Sequence, residues 1–260
     1  AGRMERAARI TPQRFFALTY LLSWLIWIPL TLSHFGIGSF HIAEETSAIV
    51  RLFGVLMPAI SALILTAQTG ELRTLSSRLS LWRVDWKYWI AATLVQPILL
   101  LASALTFNLF APTDISPNPI TSLSALIVNV IFLLIATLGE EIGWRGVALP
   151  ALQQKHSALK ASLILALLWL IWHLPFWMLL DTFDQFGFGY IGMNLLFGLP
   201  LTLYMTWFFN HTKSSLLLPV AFHLTFNVVN TVLYPVTITI GAFWILIALE
   251  WIVAIFIFPH

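Results

Sequence analysis

Eight apolar runs of about 20 residues recur along this 260-residue chain, and they constrain its fold more than any other feature. Twenty apolar residues form the length of α-helix that crosses a hydrocarbon core of ~30 Å. The runs are continuous, whereas the strands of a membrane barrel alternate apolar with polar residues. We therefore predict eight transmembrane helices, at residues 15–33, 48–68, 88–110, 123–139, 161–180, 190–209, 216–233 and 238–258.

The composition leads to the same fold class. The chain is 59% hydrophobic and only 9% charged, whereas about a quarter of the residues in a soluble domain carry charge. A formal net charge of +2 gives no basic surface for nucleic acid, so we expect no nucleic-acid partner. The absence of cysteine excludes disulfides, thiolate metal sites and cysteine nucleophiles. The sequence thus predicts an all-α polytopic membrane protein with its helices in one bundle.

Charged residues between the predicted spans indicate the orientation, because short cytoplasmic loops accumulate Lys and Arg. Basic residues fall on one side of the membrane, at Arg3, Arg6, Arg9, Arg14, Arg73, Arg78, Arg83, Lys87, Arg145, Lys155, Lys160 and Lys213. The loops at 34–45, 111–122, 181–189 and 234–237 contain no Lys or Arg, and Arg51 alone falls on their side. Both termini are therefore predicted to be cytoplasmic.

The same pattern sets the expected domain organisation. Residues 1–14 form a cytoplasmic N-terminal segment, and residues 15–260 form one membrane domain without an internal linker. The first apolar run is long enough to span the membrane and has no small-residue cleavage site, so we expect it to be a retained helix and not a signal peptide. Residues 1–3 precede Met4, and we expect them to be a cloning remnant.

Ionisable residues inside a bilayer are costly, so each is a candidate functional residue. The predicted fourth span ends at Gly139 and runs directly into Glu140, Glu141 and Arg145. Glu141 and Arg145 are four residues apart and can form an ion pair on one helix face, whereas Glu140 points about 100° away. The pattern predicts one neutralised carboxylate and one free carboxylate. These residues could also be interfacial charges that end a helix.

Two histidines lie well inside predicted spans, His173 in the fifth and His223 in the seventh. Trp169 stands one helical turn before His173, and Asn227 stands one turn after His223, so each pair shares a helix face. A single histidine in a membrane helix is as often a hydrogen-bonding group as a catalyst. Two histidines, an amide and a free carboxylate at similar depth favour a common site.

These residues resemble the motifs of the CPBP family, the CAAX-processing and bacteriocin-processing intramembrane proteases. Residues 140–145 match its glutamate-glutamate-three-residues-arginine motif, residues 169–173 its aromatic-three-residues-histidine motif, and residues 223–227 its histidine-three-residues-asparagine motif. The motifs occur in family order on separate spans. The family usually has Phe where this chain has Trp169, a change that concerns packing beside His173 more than chemistry.

The resemblance implies an intramembrane endopeptidase. Amide hydrolysis needs an activated water, a donor to the oxyanion and a proton for the leaving amine. Glu140 is the expected general base, with His173 orienting the water or protonating the amine. His223 and Asn227 are the expected oxyanion donors, and Glu141, Arg145 and Trp169 are expected to support them. We expect no obligatory metal; the alternative is a zinc ion held by Glu140, His173 and His223.

The family resemblance also implies the substrate and the location. The substrate is a peptide or lipidated protein, either a prenylated CAAX tail or a bacteriocin-type precursor, cleaved near its C-terminus at a site facing the cytoplasm. The host membrane is the plasma or inner membrane of a bacterium or the endoplasmic reticulum of a eukaryote. Two other classes stay open: a transporter that relays protons through Glu140, His173, His223 and Glu250, and a non-catalytic immunity protein. Glu250, in the last span, has no partner identifiable from spacing.

Overall fold

A computed structural model describes residues 10–38, 44–112, 122–230 and 239–258, and this part of the chain is helical with no β-strand. The predicted all-α fold is therefore confirmed. Trp144–Ala148 forms a π-helical turn between the fifth and sixth α-helices. The helices are α1 Pro12–His34, α2 Glu44–Thr69, α3 Leu72–Ser80, α4 Trp86–Phe110, α5 Leu123–Gly143, α6 Leu149–Gln153, α7 Ala158–Trp172, α8 Leu174–Trp177, α9 Asp181–Phe186, α10 Phe188–His211, α11 Leu217–Val228 and α12 Ile240–Ile257.

Six helical segments of the described chain are long and apolar enough to cross a membrane. They match six of the eight predicted spans: α1, the Ile49–Thr69 part of α2, α4, the continuous Leu123–Gln153 segment, α10 and α12. The other two predicted spans correspond to shorter apolar helices, α7 with 15 residues and α11 with 12 residues. The chain therefore has fewer full-length spans among its described residues than the eight apolar runs predict.

The fourth predicted span continues beyond its expected end at Gly139. Residues 123–143 are α-helical, and the π-turn then carries the helix on to Gln153. The apparent boundary came from the charges of Glu141 and Arg145, but these side chains are both fully buried and paired. A charged pair that forms inside the protein does not end a helix.

The fifth predicted span, 161–180, is interrupted at His173. Pro175 has no N–H, so it cannot donate to the carbonyl of Ile171 four residues earlier, and the helix ends at Trp172. Pro175 is instead the second residue of the next short helix, a first-turn position where an N–H is not required. The interruption places the His173 ring at a helix end and not along a continuous helix.

Side chains of α1 bind the main chain around this interruption. The Tyr20 hydroxyl donates to the carbonyl of Leu168. Trp24 Nε1 donates to the carbonyl of Trp172 over 3.1 Å. Thr31 Oγ1 donates to the carbonyl of Pro175 over 3.0 Å. Three side chains of a neighbouring helix thus donate to main-chain carbonyls on both sides of the break.

Helices α2 and α5 pack closely because two glycines face α2. A Cβ added to Gly139 would lie 2.8 Å from Leu56, and one added to Gly143 would lie 2.6 Å from the Pro58 backbone. Since residues 139 and 143 meet residues 56 and 58 in the same order, α2 and α5 run parallel. This register fixes which part of α2 lies beside the glutamate motif.

Candidate active site

The glutamate motif is buried where α5 passes into the π-turn. The side chains of Glu141 and Arg145 are fully buried, and Arg145 Nη1 donates to Glu141 Oε1 over 2.9 Å. The ion pair predicted from the four-residue spacing is therefore present. The Arg145 guanidinium also lies 5.6 Å from the centre of the Trp169 ring, a distance at which a cation is attracted to an aromatic face.

A second donor reaches the same Glu141 oxygen from α11. His223 Nδ1 donates to Glu141 Oε1 over 2.8 Å, joining residues 82 positions apart in the chain. This bond fixes which ring nitrogen of His223 carries the proton and orients the ring. Nε2 is then the ring nitrogen that remains for a substrate or a water molecule.

Trp169 holds the carboxylate of Glu140. Its indole Nε1 donates to Glu140 Oε2 over 2.6 Å, and both residues are buried. The sequence assigned Trp169 a packing role, yet its nitrogen supplies a hydrogen bond that phenylalanine lacks. The indole ring also packs edge-on against the rings of His173 and His223. Trp169 is therefore the residue around which the two histidines and Glu140 are arranged.

His173 faces Glu140 from the end of α7. Its Nδ1 donates to the carbonyl of Trp169 over 2.8 Å. Its Nε2 lies 3.7 Å from Glu140 Oε2. With Nδ1 donating, Nε2 of the neutral ring is a hydrogen-bond acceptor. Glu140 Oε2 and His173 Nε2 are thus two hydrogen-bond acceptors that can bind one small donor, such as a water molecule, between them.

Asn227 is held by a residue that the sequence analysis missed. Its Nδ2 donates to Oγ1 of Thr137 over 3.2 Å. Thr137 is fully buried in α5 and precedes Glu140 by about one helical turn. A hydroxyl three residues before Glu140 was the available signal. One N–H of the Asn227 amide is engaged by Thr137, and the second remains for another acceptor.

A cavity of about 540 Å³ brings the predicted catalytic residues together. Glu140, Trp169, His173, His223 and Asn227 all line it. Its other lining residues are Arg51, Leu52, Val55, Phe132, Leu133, Ala136, Leu170, Phe176, Trp177, Leu180, Tyr190, Asn194, Phe197, Gly198, Leu201 and Phe226. The cavity is mainly apolar, with its polar groups concentrated at the motif residues.

Three predicted residues do not line this cavity. Glu141 and Arg145 lie behind its wall and support it through His223 and Trp169. Glu250 is fully buried in α12, where the side chains of Gln96 and Tyr204 are its polar neighbours. The structure therefore separates Glu250 from the other groups of the relay that the transporter alternative requires.

The zinc alternative requires Glu140, His173 and His223 to surround one ion. Among the described residues, no three His, Cys, Asp or Glu side chains are arranged to hold a metal ion. Both histidines use Nδ1 for other partners, Glu141 and the Trp169 carbonyl. A metal ion would therefore have to bind the two Nε2 atoms together with Glu140.

The short helix α3 ties the π-turn to α11. Arg78 Nη1 donates to the carbonyl of Gly146 over 2.6 Å, and the carbonyl of Arg78 accepts from the N–H of Leu216. Burial lowers the pKa of the Arg78 guanidinium, and neighbouring Glu71 opposes that change; an arginine remains charged at neutral pH. Arg78 therefore connects the segment that carries Arg145 with the helix that carries His223.

Comparisons with known proteins agree with the family resemblance of the three motifs. A family sequence model described as "Type II CAAX prenyl endopeptidase Rce1-like" matches residues 121–229, the region that contains all three motifs. The chain is also similar to CAAX prenyl protease 2 of Methanococcus maripaludis, with 27% identity over 236 residues, 86% of this chain and 85% of the relative. With its long apolar helices, the protein is an integral membrane protein.

The family match and the relative both name the class that the three motifs predicted. The resemblance is therefore confirmed: the chain is similar to the Rce1-like type II CAAX prenyl endopeptidases.

Proposed function

We propose that this protein is an intramembrane endopeptidase that hydrolyses a peptide bond near the C-terminus of a prenylated, membrane-associated protein. The observation that carries the proposal is the 3.7 Å approach of Glu140 Oε2 and His173 Nε2 on the wall of a cavity also lined by His223 and Asn227. The cavity is mainly apolar, as a lipidated substrate requires. The family model and the relative that match the chain are both named for CAAX prenyl proteolysis.

Glu140 is the general base of the proposed reaction. A water molecule at hydrogen-bond distance from both Glu140 and His173 would donate to the two acceptors at an angle of about 80°, within reach of its two hydrogens. As the water oxygen attacks the peptide carbonyl carbon, one of its protons passes to Glu140. Trp169 keeps the carboxylate in place through its N–H bond.

Asn227 and His223 stabilise the oxyanion that forms on the carbonyl oxygen. Asn227 uses its second N–H, and His223 uses Nε2–H in the ring form that carries a proton on both nitrogens, with Nδ1–H held by Glu141. The C–N bond then breaks, and the proton held by Glu140 is delivered to the amine nitrogen, with His173 as the neighbouring group that assists. The products are a new carboxylic acid and a free amine, which ionise to a carboxylate and an ammonium group, so no reactant other than water is needed.

The orientation of the site follows from charge in this proposal. The basic loops support an orientation with the motif end of α5 toward the cytoplasm. A lipidated tail then enters the cavity between helices while its protein remains in the cytoplasm. No metal takes part in the proposed reaction.

The direct test uses purified protein in liposomes with a peptide that ends in a CAAX sequence, with and without the prenyl group. Mass spectrometry of the products locates the cleaved bond. The wild type should cleave the prenylated peptide, and Glu140→Gln should lower kcat by about 10²- to 10⁴-fold. Absence of cleavage by the folded wild type, or equal rates in the variant, would contradict the proposal.

A chelator arm separates the two hydrolytic mechanisms. Activity that survives a strong chelator supports water activation by Glu140 without a metal. Activity that is lost on chelation and restored by zinc would replace it with the zinc alternative of the same protease. In that case Glu140, His173 and His223 would need a rearrangement from their present positions.

A further inference from the structure

We propose that Arg51 binds the free C-terminal carboxylate of the substrate and so determines how far from the chain end the peptide is cut. The inference rests on the proposed peptidase function and extends it from a membrane peptide in general to a substrate with a free terminal carboxylate. It also distinguishes the two substrate classes left open by the sequence, since a bond inside a longer precursor has no nearby terminal carboxylate.

Arg51 is the one Lys or Arg among the residues that line the cavity. Apart from Glu140 and the two histidines, the rest of the lining is uncharged and largely apolar or aromatic. Among the side chains that the structure describes, no carboxylate lies within ion-pair distance of Arg51. A guanidinium facing a mainly apolar cavity is costly unless an anion joins it.

A hydrogen bond to its main-chain carbonyl fixes the position of Arg51. Its carbonyl accepts a hydrogen bond of 3.1 Å from Nε1 of Trp27, whose side chain is fully buried. Arg51 also follows the start of the apolar segment Ile49–Thr69 by only two residues. The side chain therefore starts from a held point at one end of that segment and extends into the cavity.

The register of α2 against α5 sets the approximate separation of Arg51 and Glu140 along the helix axis. The Cβ position of Gly139, next to Glu140, lies 3.0 Å from the carbonyl oxygen of Val55. Arg51 is four residues before Val55, which is a rise of about 6 Å along the helix. The flexible arginine side chain widens this to a range of about 6 to 12 Å, the length of two to four extended residues.

A peptide anchored by its carboxylate at Arg51 would therefore present to Glu140 a bond two to four residues from its end. Three residues follow the cysteine of a CAAX sequence, which falls within that range. The negative charge of the terminus would also repel Glu140 without a nearby cation. Arg51 thus attracts the terminal carboxylate and sets the number of residues between that carboxylate and the cleaved bond.

The test uses two prenylated CAAX peptides that differ only at the C-terminus, one a free acid and the other a carboxamide. For the wild type, kcat/KM should favour the acid by roughly 10- to 100-fold, the value of a charge-assisted hydrogen bond. Arg51→Gln should remove the preference by raising KM for the acid, while kinetics on the amide stay unchanged. The matched control is Arg83→Gln, an exposed arginine stacked on Trp82 and absent from the cavity wall.

Equal kcat/KM values for acid and amide in the wild type would overturn the inference and leave the proposed hydrolysis intact. An equal loss of kcat/KM on both peptides in Arg51→Gln would overturn it too. Arg51 would then stabilise the fold or bind a lipid headgroup. Binding of the two peptides to Glu140→Gln protein measures the contact without turnover. Preferential binding of the acid without any wild-type hydrolysis would contradict the proposed reaction alone, and equal binding would contradict the carboxylate contact.

Discussion

Glu140 and Glu250 are both buried glutamates in apolar helices, but their surroundings differ. Glu140 lies on a cavity wall, with the indole N–H of Trp169 on one oxygen and His173 Nε2 3.7 Å away. Glu250 has no exposed surface and lies among α4, α10 and α12, where the Tyr204 hydroxyl donates to its main-chain carbonyl over 2.9 Å. The first carboxylate can meet a substrate and the second cannot.

The comparison shows that burial of a carboxylate in a membrane helix is not sufficient evidence of catalysis. The Glu140 region combines a carboxylate, an amide and an aromatic donor around an accessible cavity. The Glu250 region contains the same three types of group, in Glu250, Gln96 and Tyr204, without lining that cavity. Matched substitutions in the two regions therefore test whether activity depends on access to the cavity or only on the type of side-chain group.

The carboxylate pair should give the largest contrast. Glu140→Gln removes the proton acceptor and should lower kcat by about 10²- to 10⁴-fold, whereas Glu250→Gln should leave kcat unchanged. Both proteins should be compared on the prenylated peptide after their thermal unfolding in detergent has been measured. If Glu250→Gln abolished turnover without a change in Tm, the two regions would have to act together, as in a proton relay.

The amide pair should give the next largest contrast. Asn227→Leu removes an oxyanion donor and should lower kcat by about 10²- to 10³-fold with little change in KM. Gln96→Leu removes a buried amide of the second region and should affect only stability. The two kcat values on one substrate check this. A loss in KM and not in kcat for Asn227→Leu would argue for substrate binding in place of oxyanion stabilisation.

The aromatic pair should give the smallest contrast. Trp169→Phe keeps a ring beside His173 but removes the N–H bond to Glu140, and kcat should fall roughly tenfold, as for other groups that orient a reacting side chain. Tyr204→Phe removes a neutral hydrogen bond and should lower the free energy of unfolding by about 1 kcal/mol with kcat unchanged. Wild-type kcat in Trp169→Phe would show that Glu140 is positioned without the indole.

Part of this site could be predicted from sequence because the helix has a fixed geometry. The four-residue spacing of Glu141 and Arg145 was enough to predict their ion pair, and the spacing of His223 and Asn227 placed both on one face. The apolar runs located six long helices, since length and hydropathy are properties of each segment alone.

The rest depends on contacts between distant segments. Nothing in the spacing indicates that His223 and Arg145 share one oxygen of Glu141, or that Asn227 is held by Thr137. The interruption at His173 was missed because the run 161–180 is apolar throughout its length, although Pro175 was visible. Helix ends inside a bilayer depend on which neighbours satisfy the main chain, and these neighbours are not local in sequence.

The hydrogen bonds from α1 to the interrupted α7 have a consequence for evolution and engineering. In lipid no water is available to the main chain beside a break, and Tyr20, Trp24 and Thr31 donate to carbonyls on both sides of this one. These three residues lie outside the 121–229 segment that matches the family. The motif region is therefore not a self-contained unit, because a transplant without α1 would lose three hydrogen bonds to the main chain on either side of His173.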